Sequence, residues 1–265
     1  MVAALKPLAL AFGLTFGVAG LGRLLTRSVE DASNLEAALT GLKSIVEGTN
    51  NSWSRAQQFI SDYIADGLVP ATDAIQSYKN LLLRGYNTDE VEQVLDILKD
   101  TAAFGRQGRL TIGQAIRSGT EGLKNELSIL VDNAGITKNL VLMWKDYAAQ
   151  IGTTVGQLTK QQKIQAEING LMEESRHMIG DAAKLTNTYQ GKVSALSVSF
   201  YTLRVAIGNA IIPILSAIIP YIKSAIDALT VFFNRLATIV GSLFGVDIGA
   251  ARDSMEDTAA ATESA

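Results

Sequence analysis

The feature that most restricts the fold of this chain is a long heptad pattern in its C-terminal part. From Tyr189 to Tyr221, apolar residues recur at alternating spacings of four and three for more than four repeats. This spacing holds one stripe of an α-helix against a second helix, so it predicts a seam for self-association. The seam positions are Tyr189, Val193, Leu196, Phe200, Leu203, Ile207, Ala210, Ile214, Ala217 and Tyr221.

Beyond Arg204 the same segment is apolar on every side. Eighteen uncharged residues separate Arg204 from Lys223, which is the lower end of the length of a membrane-spanning helix. A helix without a polar face must be buried in protein, in an oligomer or in lipid. Pro213 and Pro220 are expected to kink or break it, and a last apolar helix is expected over 224–246. The candidate membrane-contact residues are Ile211, Ile212, Ile218, Ile219, Phe232 and Phe233.

A second uncharged run lies near the N-terminus. Sixteen uncharged residues separate Lys6 from Arg23, and Ala9, Gly13 and Gly17 recur among them at four-residue spacing. Small residues at this spacing allow another helix to approach closely, in lipid or in protein. A signal peptide, a membrane helix and a glycine-rich helix packed on its neighbours are all compatible with the run. One lysine precedes the run and no small-residue cleavage pattern follows it, which argues against a signal peptide. The glycine-rich helix packed on its neighbours is favoured.

The remaining chain predicts helices joined by short turns, and no stretch alternates as a β-strand would. A helix is expected from Pro70 to Gly85, and Gly48 begins a break. The fold class is therefore predicted to be all-α, a multi-helix array with heptad-patterned apolar C-terminal helices. Capping boxes that mark helix starts are Asn87 with Glu90, Thr111 with Gln114, and Thr159 with Gln162. Expected core stripes are Val29, Leu35, Leu39, Leu42 and Val46; Val91, Val94, Leu95 and Leu98; and Ile164, Ile168, Leu171, Met172 and Ile179.

Composition and periodicity divide the chain into four segments. Residues 1–47 form a glycine-rich apolar helical segment, and residues 48–188 form a helical domain. Residues 189–246 form the heptad-patterned apolar segment. Residues 247–265 carry five acidic side chains against one arginine, which is typical of an acidic linker or disordered tail.

The stretch Ser128–Tyr147 resembles either a catalytic loop or a corner between two helices. Asp132, Asn133 and Gly135 supply turn conformations, and no nucleophile or ligand motif accompanies them. The corner is therefore favoured, with Thr137 as the cap of the following helix. That helix is expected to bury Leu140, Met143, Trp144 and Tyr147.

Nothing in the sequence predicts a catalytic, cofactor-binding or metal-binding residue. The chain has no cysteine and one histidine, His177, which follows Glu173 and Glu174. One histidine cannot complete a di-iron bundle, and no spacing suggests further zinc ligands. Arg106 and Arg109 are expected to be solvated. The net charge of −3 argues against a nucleic-acid-binding protein, and sequence-specific binding is not expected.

Three strings follow one another along the middle and C-terminal parts of the chain. They read ATDAIQSYKNLLLRGYNTDEVEQVLDILKDTAAFG at 71–105, SILVDNAGITKNLVLMWKDYAAQIGTTVGQLTKQQKIQAEINGLMEES at 128–175, and IGDAAKLTNTYQGKVSALSVSFYTLRVAIGNAIIPIL at 179–215. In this order they make the region 71–243 resemble the tape measure (minor tail) proteins of long-tailed bacteriophages and prophages. The resemblance covers about two thirds of the chain.

The resemblance implies a non-enzymatic virion component in the lumen of the tail tube. Such a protein sets tail length during assembly and leaves with the DNA at infection, when its apolar stretches meet the host membrane. Implied partners are further copies of the chain, tail-tube and tail-tip proteins, and tail assembly chaperones. The chain would be made in the host cytoplasm, and after ejection it would reach the host inner membrane.

This chain is short for a protein that sets the length of a phage tail. At about 1.5 Å of helix per residue, 265 residues would span about 400 Å, so a fragment or short form is expected. Two other functions remain open. A helical pore-former unrelated to phage would insert an apolar hairpin at 205–246, with Asp227 and Arg235 between its halves. A soluble adaptor would use the same region as its core.

Overall fold

The computed structural model of the protein describes residues 18–104 and 109–244. Within these ranges the chain forms ten α-helices and one 3₁₀ helix joined by short turns, and it contains no β-strand. The prediction of an all-α fold is confirmed. The helices are α1 (Val18–Gly48), α2 (Trp53–Ile64), α3 (Ala71–Arg84), α4 (Thr88–Ala103), α5 (Ile112–Asn125), α6 (Ser128–Asp132), α7 (Leu140–Gln150), α8 (Lys160–Ser175), α9 (Asp181–Thr186) and α10 (Tyr189–Phe244), with the 3₁₀ helix at Val155–Gln157.

Local capping rules place several of the helix ends. All three predicted capping boxes are present: each cap side chain accepts from a backbone N–H of the first turn, and its partner side chain accepts from the N–H of the cap residue. Gly85 ends α3 in the left-handed conformation, with φ of 105°, and its N–H donates to the Leu81 and Leu82 carbonyls. These groups satisfy donors and acceptors that a free helix end leaves open.

The core is formed around α3, which packs against α1, α2, α4 and α5. Helix α3 buries side chains on most of its surface, and the largest of them is Tyr78. The predicted stripe of α4 is fully buried against this core: Val91, Val94, Leu95 and Leu98 each have 0% of their surface exposed. On α1, Leu42 and Val46 are fully buried, whereas Val29, Leu35 and Leu39 are half-buried.

The stretch Ser128–Tyr147 is a corner between two helices, as predicted, but its cap is different. Asn139 caps α7, and its side chain accepts from the N–H of Val141. Thr137 instead donates through its hydroxyl and its N–H to Glu174, at 2.9 and 3.2 Å. The prediction of a Thr137 cap is wrong because a carboxylate 37 residues away occupies that hydroxyl. Leu140, Met143 and Trp144 are buried as expected, and Tyr147 is half-buried.

The stripe predicted for 164–179 holds only in its first part. Ile164, Ile168 and Leu171 are buried, but Met172 is 49% exposed and Ile179 is 70% exposed. Helix α8 ends at Ser175, so the helical period does not continue to Ile179.

Helix α10 continues through both prolines, from Tyr189 to Phe244. The prediction of a separate helix over 224–246 is therefore wrong. Each proline removes one backbone donor, at a cost of about 3 kcal/mol. The backbone on both sides of Pro213 and Pro220 nevertheless stays helical.

The chain divides into two compact units, Met1–Asn209 and Ala210–Ala265. The first contains α1 to α9 and the N-terminal part of α10, and the second contains the remainder of α10. The N-terminal positions Ala9, Gly13 and Gly17, the loop residue Arg106 and the acidic segment 247–265 lie outside the described residues. The expectations for them stay predictions.

Candidate functional site

In the first unit, α10 packs against α1 through small residues. Gly191, Val205 and Gly208 are the buried positions of this part of the helix. Gly208 lies against Ser28 and Ala32 of α1, and Gly191 lies against Leu185 and Thr186 of α9. A Cβ atom on Gly208 would lie only 2.6 Å from the Cβ of Ala32, so the two helices approach nearly to backbone contact. Glycine is therefore required at position 208, because any side chain would push α10 away from α1.

Polar contacts supplement this packing. Arg204 Nε lies 2.6 Å from Asp31 Oδ2, which ties the middle of α10 to α1. Both side chains are about a quarter exposed. At the N-terminal end of α10, Ala195 lies against Gly67 in the turn after α2. A Cβ atom added at Gly67 would lie 3.1 Å from the Cβ of Ala195.

The heptad seam lies on the opposite side of α10. Along a heptad, Gly191, Val205 and Gly208 fall on the face away from the seam positions. Seam side chains of the first unit are accordingly open: Tyr189 is 85% exposed, and Val193, Leu196 and Leu203 are 43–53% exposed. Phe200 and Ile207 are half-buried. The first unit thus presents an apolar helix face to its surroundings.

The second unit exposes apolar side chains as well. Ile214 and Tyr221 of the seam are 58% and 78% exposed. Among the predicted membrane-contact residues, Ile218 and Phe232 are 45% and 58% exposed, and Ile211 and Ile212 are half-buried. The side chains of Ile219 and Phe233 are not among those the structure describes.

Hydropathy and burial together distinguish α10 from a core helix. Among the described residues, one helix is long and apolar enough to cross a membrane, over Tyr189–Ile218, with a mean hydropathy of 1.5. An apolar helix inside a soluble protein meets the same criteria but is mostly buried. Only 12% of the apolar window of α10 is buried.

The histidine and its neighbouring carboxylates do not form a site. His177 lies beyond the end of α8 and is exposed, so it does not share a helix face with Glu173 and Glu174. Glu173 pairs instead with Lys138 at 2.7 Å, and this hydrogen bond raises the pKa of the lysine. Within 18–104 and 109–244, no group of three or more His, Asp or Glu side chains could hold a metal ion. Arg109 is exposed.

Sequence reasoning missed a buried polar cluster around Glu167 of α8. Its carboxylate accepts from Arg84 at 2.9 Å, from Trp144 at 3.1 Å and from the hydroxyl of Tyr86. Arg84 also pairs with Glu126 at 2.8 Å. Burial, reinforced by the charge of Glu167, raises the pKa of Tyr86 well above its ordinary value, so the phenol remains a donor.

This cluster is built for stability rather than for substrate binding. Glu167 has 0% of its surface exposed, so no substrate reaches its carboxylate without opening the fold. Its partners in α3 and in the turn after α3 are 83 and 81 residues away in sequence, and its partner in α7 is 23 residues away. No local pattern signals such a cluster; only a lone glutamate on an apolar helix face could have drawn attention to it.

Comparisons of the chain with protein-family models, with curated proteins and with solved structures found no match. The likeness to tape measure proteins therefore rests on the three strings at 71–105, 128–175 and 179–215.

Proposed function

We propose that this chain is a non-enzymatic structural component of a phage tail, a tape measure segment in the lumen of the tail tube. It contributes to tail assembly and length determination, and on infection it contacts the host membrane as DNA is ejected. The proposed partners are further copies of the chain, tail-tube and tail-tip proteins, tail assembly chaperones and the host inner membrane.

The observation that carries the membrane part of the proposal is the low burial of α10. Its apolar window has only 12% of its residues buried, although burial of apolar surface gives roughly 25 cal/mol per Å². A helix that exposes so much apolar surface is stabilised when lipid or another protein covers that surface. Lipid tails or apolar helices of other subunits supply such a cover, and a tail lumen followed by a membrane offers both in turn.

Flotation with vesicles tests the membrane part. The full chain is mixed with phosphatidylcholine–phosphatidylglycerol vesicles and centrifuged through a density gradient, and we expect it to float with the lipid. Charges placed in α10, as Ile214→Asp with Ile218→Asp, should leave most of the chain in the dense fractions. Met172→Asp is the matched control, since Met172 is similarly exposed at 49% but lies in α8. Wild-type chain that stays out of the lipid fractions would refute membrane contact.

Tail length tests the ruler part. An in-frame insertion of 28 residues, four copies of a heptad such as Leu196–Thr202, extends a helix by about 42 Å. If the chain acts as a ruler, purified tails should lengthen by a similar amount in electron micrographs. Tails of unchanged length that still contain the longer chain by mass spectrometry would contradict a ruling function and leave the lumenal location intact.

The exposed helix also fits a pore-forming protein unrelated to phage. Such a protein would release a trapped dye from vesicles in the absence of any tail protein. A chain that floats with vesicles but releases no dye favours the tail component. A soluble adaptor would neither float nor release dye.

A further inference from the structure

We propose that the N-terminal part of α10, residues 189–209, is a hinged arm that lifts from α1 while the rest of the first unit stays folded. The ion pair between Arg204 and Asp31 is the latch that holds the arm closed. The movement lies within the first unit, and it does not depend on the proposed function.

The turn between α9 and α10 provides the hinge. Helix α9 is fixed to α4, because the Asp100 carboxylate accepts from the N–H groups of Gly180 and Ala182 at 2.8 and 3.0 Å. Ala182 and Leu185 of α9 are also buried. On the other side of the turn, Gly191 passes so close to the Leu185 carbonyl that no side chain would fit between them. Helix α9 therefore stays in place, and the glycine gives α10 the clearance to pivot beside it.

Few side chains hold the arm against the unit. Between residues 192 and 209, the buried positions are Val205 and Gly208, and a glycine has no side chain to bury. The contact of Ala195 with Gly67 adds one methyl group. Because hydrophobic stabilisation scales with the apolar surface removed from water, lifting the arm loses little of it. An opening of this kind requires less free energy than global unfolding.

A buried hydroxyl under the arm favours opening. Ser28 of α1 is fully buried, and its carbonyl lies against Gly208. Its hydroxyl has no hydrogen-bond partner among the residues that the structure describes. Such a hydroxyl is destabilising, because it has lost its hydrogen bonds to water and gained none in return. When the arm lifts, water reaches Ser28 and restores these bonds, so the closed state has an unfavourable contribution that the open state lacks.

The latch opposes this opening. Arg204 Nε lies 2.6 Å from Asp31 Oδ2, and both side chains are about a quarter exposed. Dissolved ions therefore reach the pair and screen it. The other charged side chain between residues 189 and 209 is that of Lys192, which is exposed. Ionic strength is therefore expected to set the fraction of chains in which the arm is open.

The chain has no cysteine, so single cysteines report the opening in the full-length protein. Ser28→Cys places a thiol under the arm, and Ser77→Cys is the matched control. Ser77 is also fully buried, and its hydroxyl likewise has no partner within the described part of the chain. It lies in α3 between Asp73 and Asn80, which both contact α5. Ellman's reagent should label the thiol at position 28 on the order of tenfold faster than the thiol at position 77, because the arm opens more often than the whole unit unfolds.

Changes in the arm test the latch. Arg204→Gln removes the ion pair, and the thiol at position 28 should then react about two- to fivefold faster. Sodium chloride at about 1 M, where the Debye length is about 3 Å, should speed labelling of the chain that keeps Arg204 and have little effect on Arg204→Gln. Lys192→Gln is the control, because it removes one positive charge from α10 outside the latch and should leave the rate unchanged. Gly208→Ala should speed labelling as well, since its methyl group pushes the arm from α1 without changing the ion pair.

Circular dichroism checks that each variant keeps its helices. Equal labelling rates at positions 28 and 77 would overturn the arm, because Ser28 would then be uncovered only by global unfolding. Labelling at position 28 as fast as that of Thr202→Cys, whose side chain is exposed, would show that the arm is not closed at all. A rate at position 28 that neither Arg204→Gln nor salt changes would overturn the ion pair as the latch.

Discussion

At the scale of single residues, the described chain depends on a few buried polar groups. Glu167 joins segments from α3 and α7 to α8 through three donors, and Asp73 lies almost fully buried at the first turn of α3. Buried charges contribute to stability only while their partners are in place. Each of these two groups therefore supports a prediction.

Removal of the Glu167 carboxylate should destabilise the fold. Glu167→Ala leaves the buried Arg84 guanidinium without one of its two carboxylates, and loss of a buried partner costs about 3 kcal/mol in free energy of unfolding. Urea denaturation followed by circular dichroism measures this loss. Glu47→Ala is the control, because Glu47 pairs with Lys43 on the surface, and its urea midpoint should be nearly unchanged. Equal midpoints for wild type and Glu167→Ala would contradict a structural role for the cluster.

Asp73 should make stability depend on pH. Burial raises the pKa of Asp73 above its ordinary value, and the charge of Arg117 opposes this only in part. Because the folded state holds this proton more tightly than the unfolded chain, the contribution of Asp73 is fully present below the unfolded pKa and is lost as the pH rises through the folded pKa. Asp73→Asn lacks this loss, so its stability relative to wild type should improve as the pH rises above the ordinary pKa of an aspartate.

The pH prediction is checked by urea denaturation of both proteins at several pH values. Arg117→Ala removes the charge that lies 3.1 Å from Asp73, so it should enlarge the loss of stability with rising pH. The difference in free energy of unfolding between wild type and Asp73→Asn is followed against pH. If it does not vary, or varies in the opposite direction, burial does not control the pKa of this carboxyl group.

At the scale of helices, the contact between α1 and α10 requires a glycine. Gly208→Ala would place a methyl group against the Ser28 carbonyl and Ala32, and overpacking of this kind costs about 1–3 kcal/mol. Gly41→Ala is the control within α1, where the added Cβ meets only the end of Lys79 at 3.6 Å. Replacement of a helical glycine by alanine normally stabilises by about 0.5–1 kcal/mol. Urea denaturation should therefore show that Gly208→Ala lowers the free energy of unfolding and that Gly41→Ala raises it. If both variants are more stable than wild type, the close contact is contradicted.

Local sequence rules predicted helices better than they predicted what each helix faces. The three capping boxes and Gly85 lie where the sequence indicated, because capping depends on residues within one turn. Thr137 lost its capping role to Asn139 because Glu174, 37 residues away, accepts its hydroxyl. Met172 fits the apolar pattern of α8 but lies at the edge of its buried face. The sequence pattern does not show where the neighbouring helices cover that face.

At the scale of the whole molecule, the two compact units differ in how far their apolar side chains are exposed. The first unit, Met1–Asn209, buries an apolar core around α3, whereas its seam side chains on α10 are exposed. In the second unit, residues such as Ile214, Ile218 and Phe232 are 45–58% exposed. The second unit is therefore the part whose stability depends most on a partner or on lipid.

Truncation after Asn209 should separate the two behaviours. The shortened chain keeps the core around α3, so its helical signal should unfold cooperatively in urea. It lacks Ala210–Ala265, and it should no longer float with phosphatidylcholine–phosphatidylglycerol vesicles. Full-length protein floated in parallel is the reference. Flotation of the truncated chain would place lipid contact in the first unit, and loss of cooperative unfolding would show that this unit does not fold without the second.

The sequence by itself determined the all-α class, the three capping boxes and the apolar heptad pattern, because each depends on residues within a few turns of one another. The tertiary structure decided that Gly191, Val205 and Gly208 pack inward and that Val193, Leu196 and Leu203 stay exposed. It also decided that Glu167 joins α3 and α7 to α8. These outcomes depend on contacts between residues far apart in the chain, such as Gly208 with Ala32 and Arg84 with Glu167, and no local pattern encodes them.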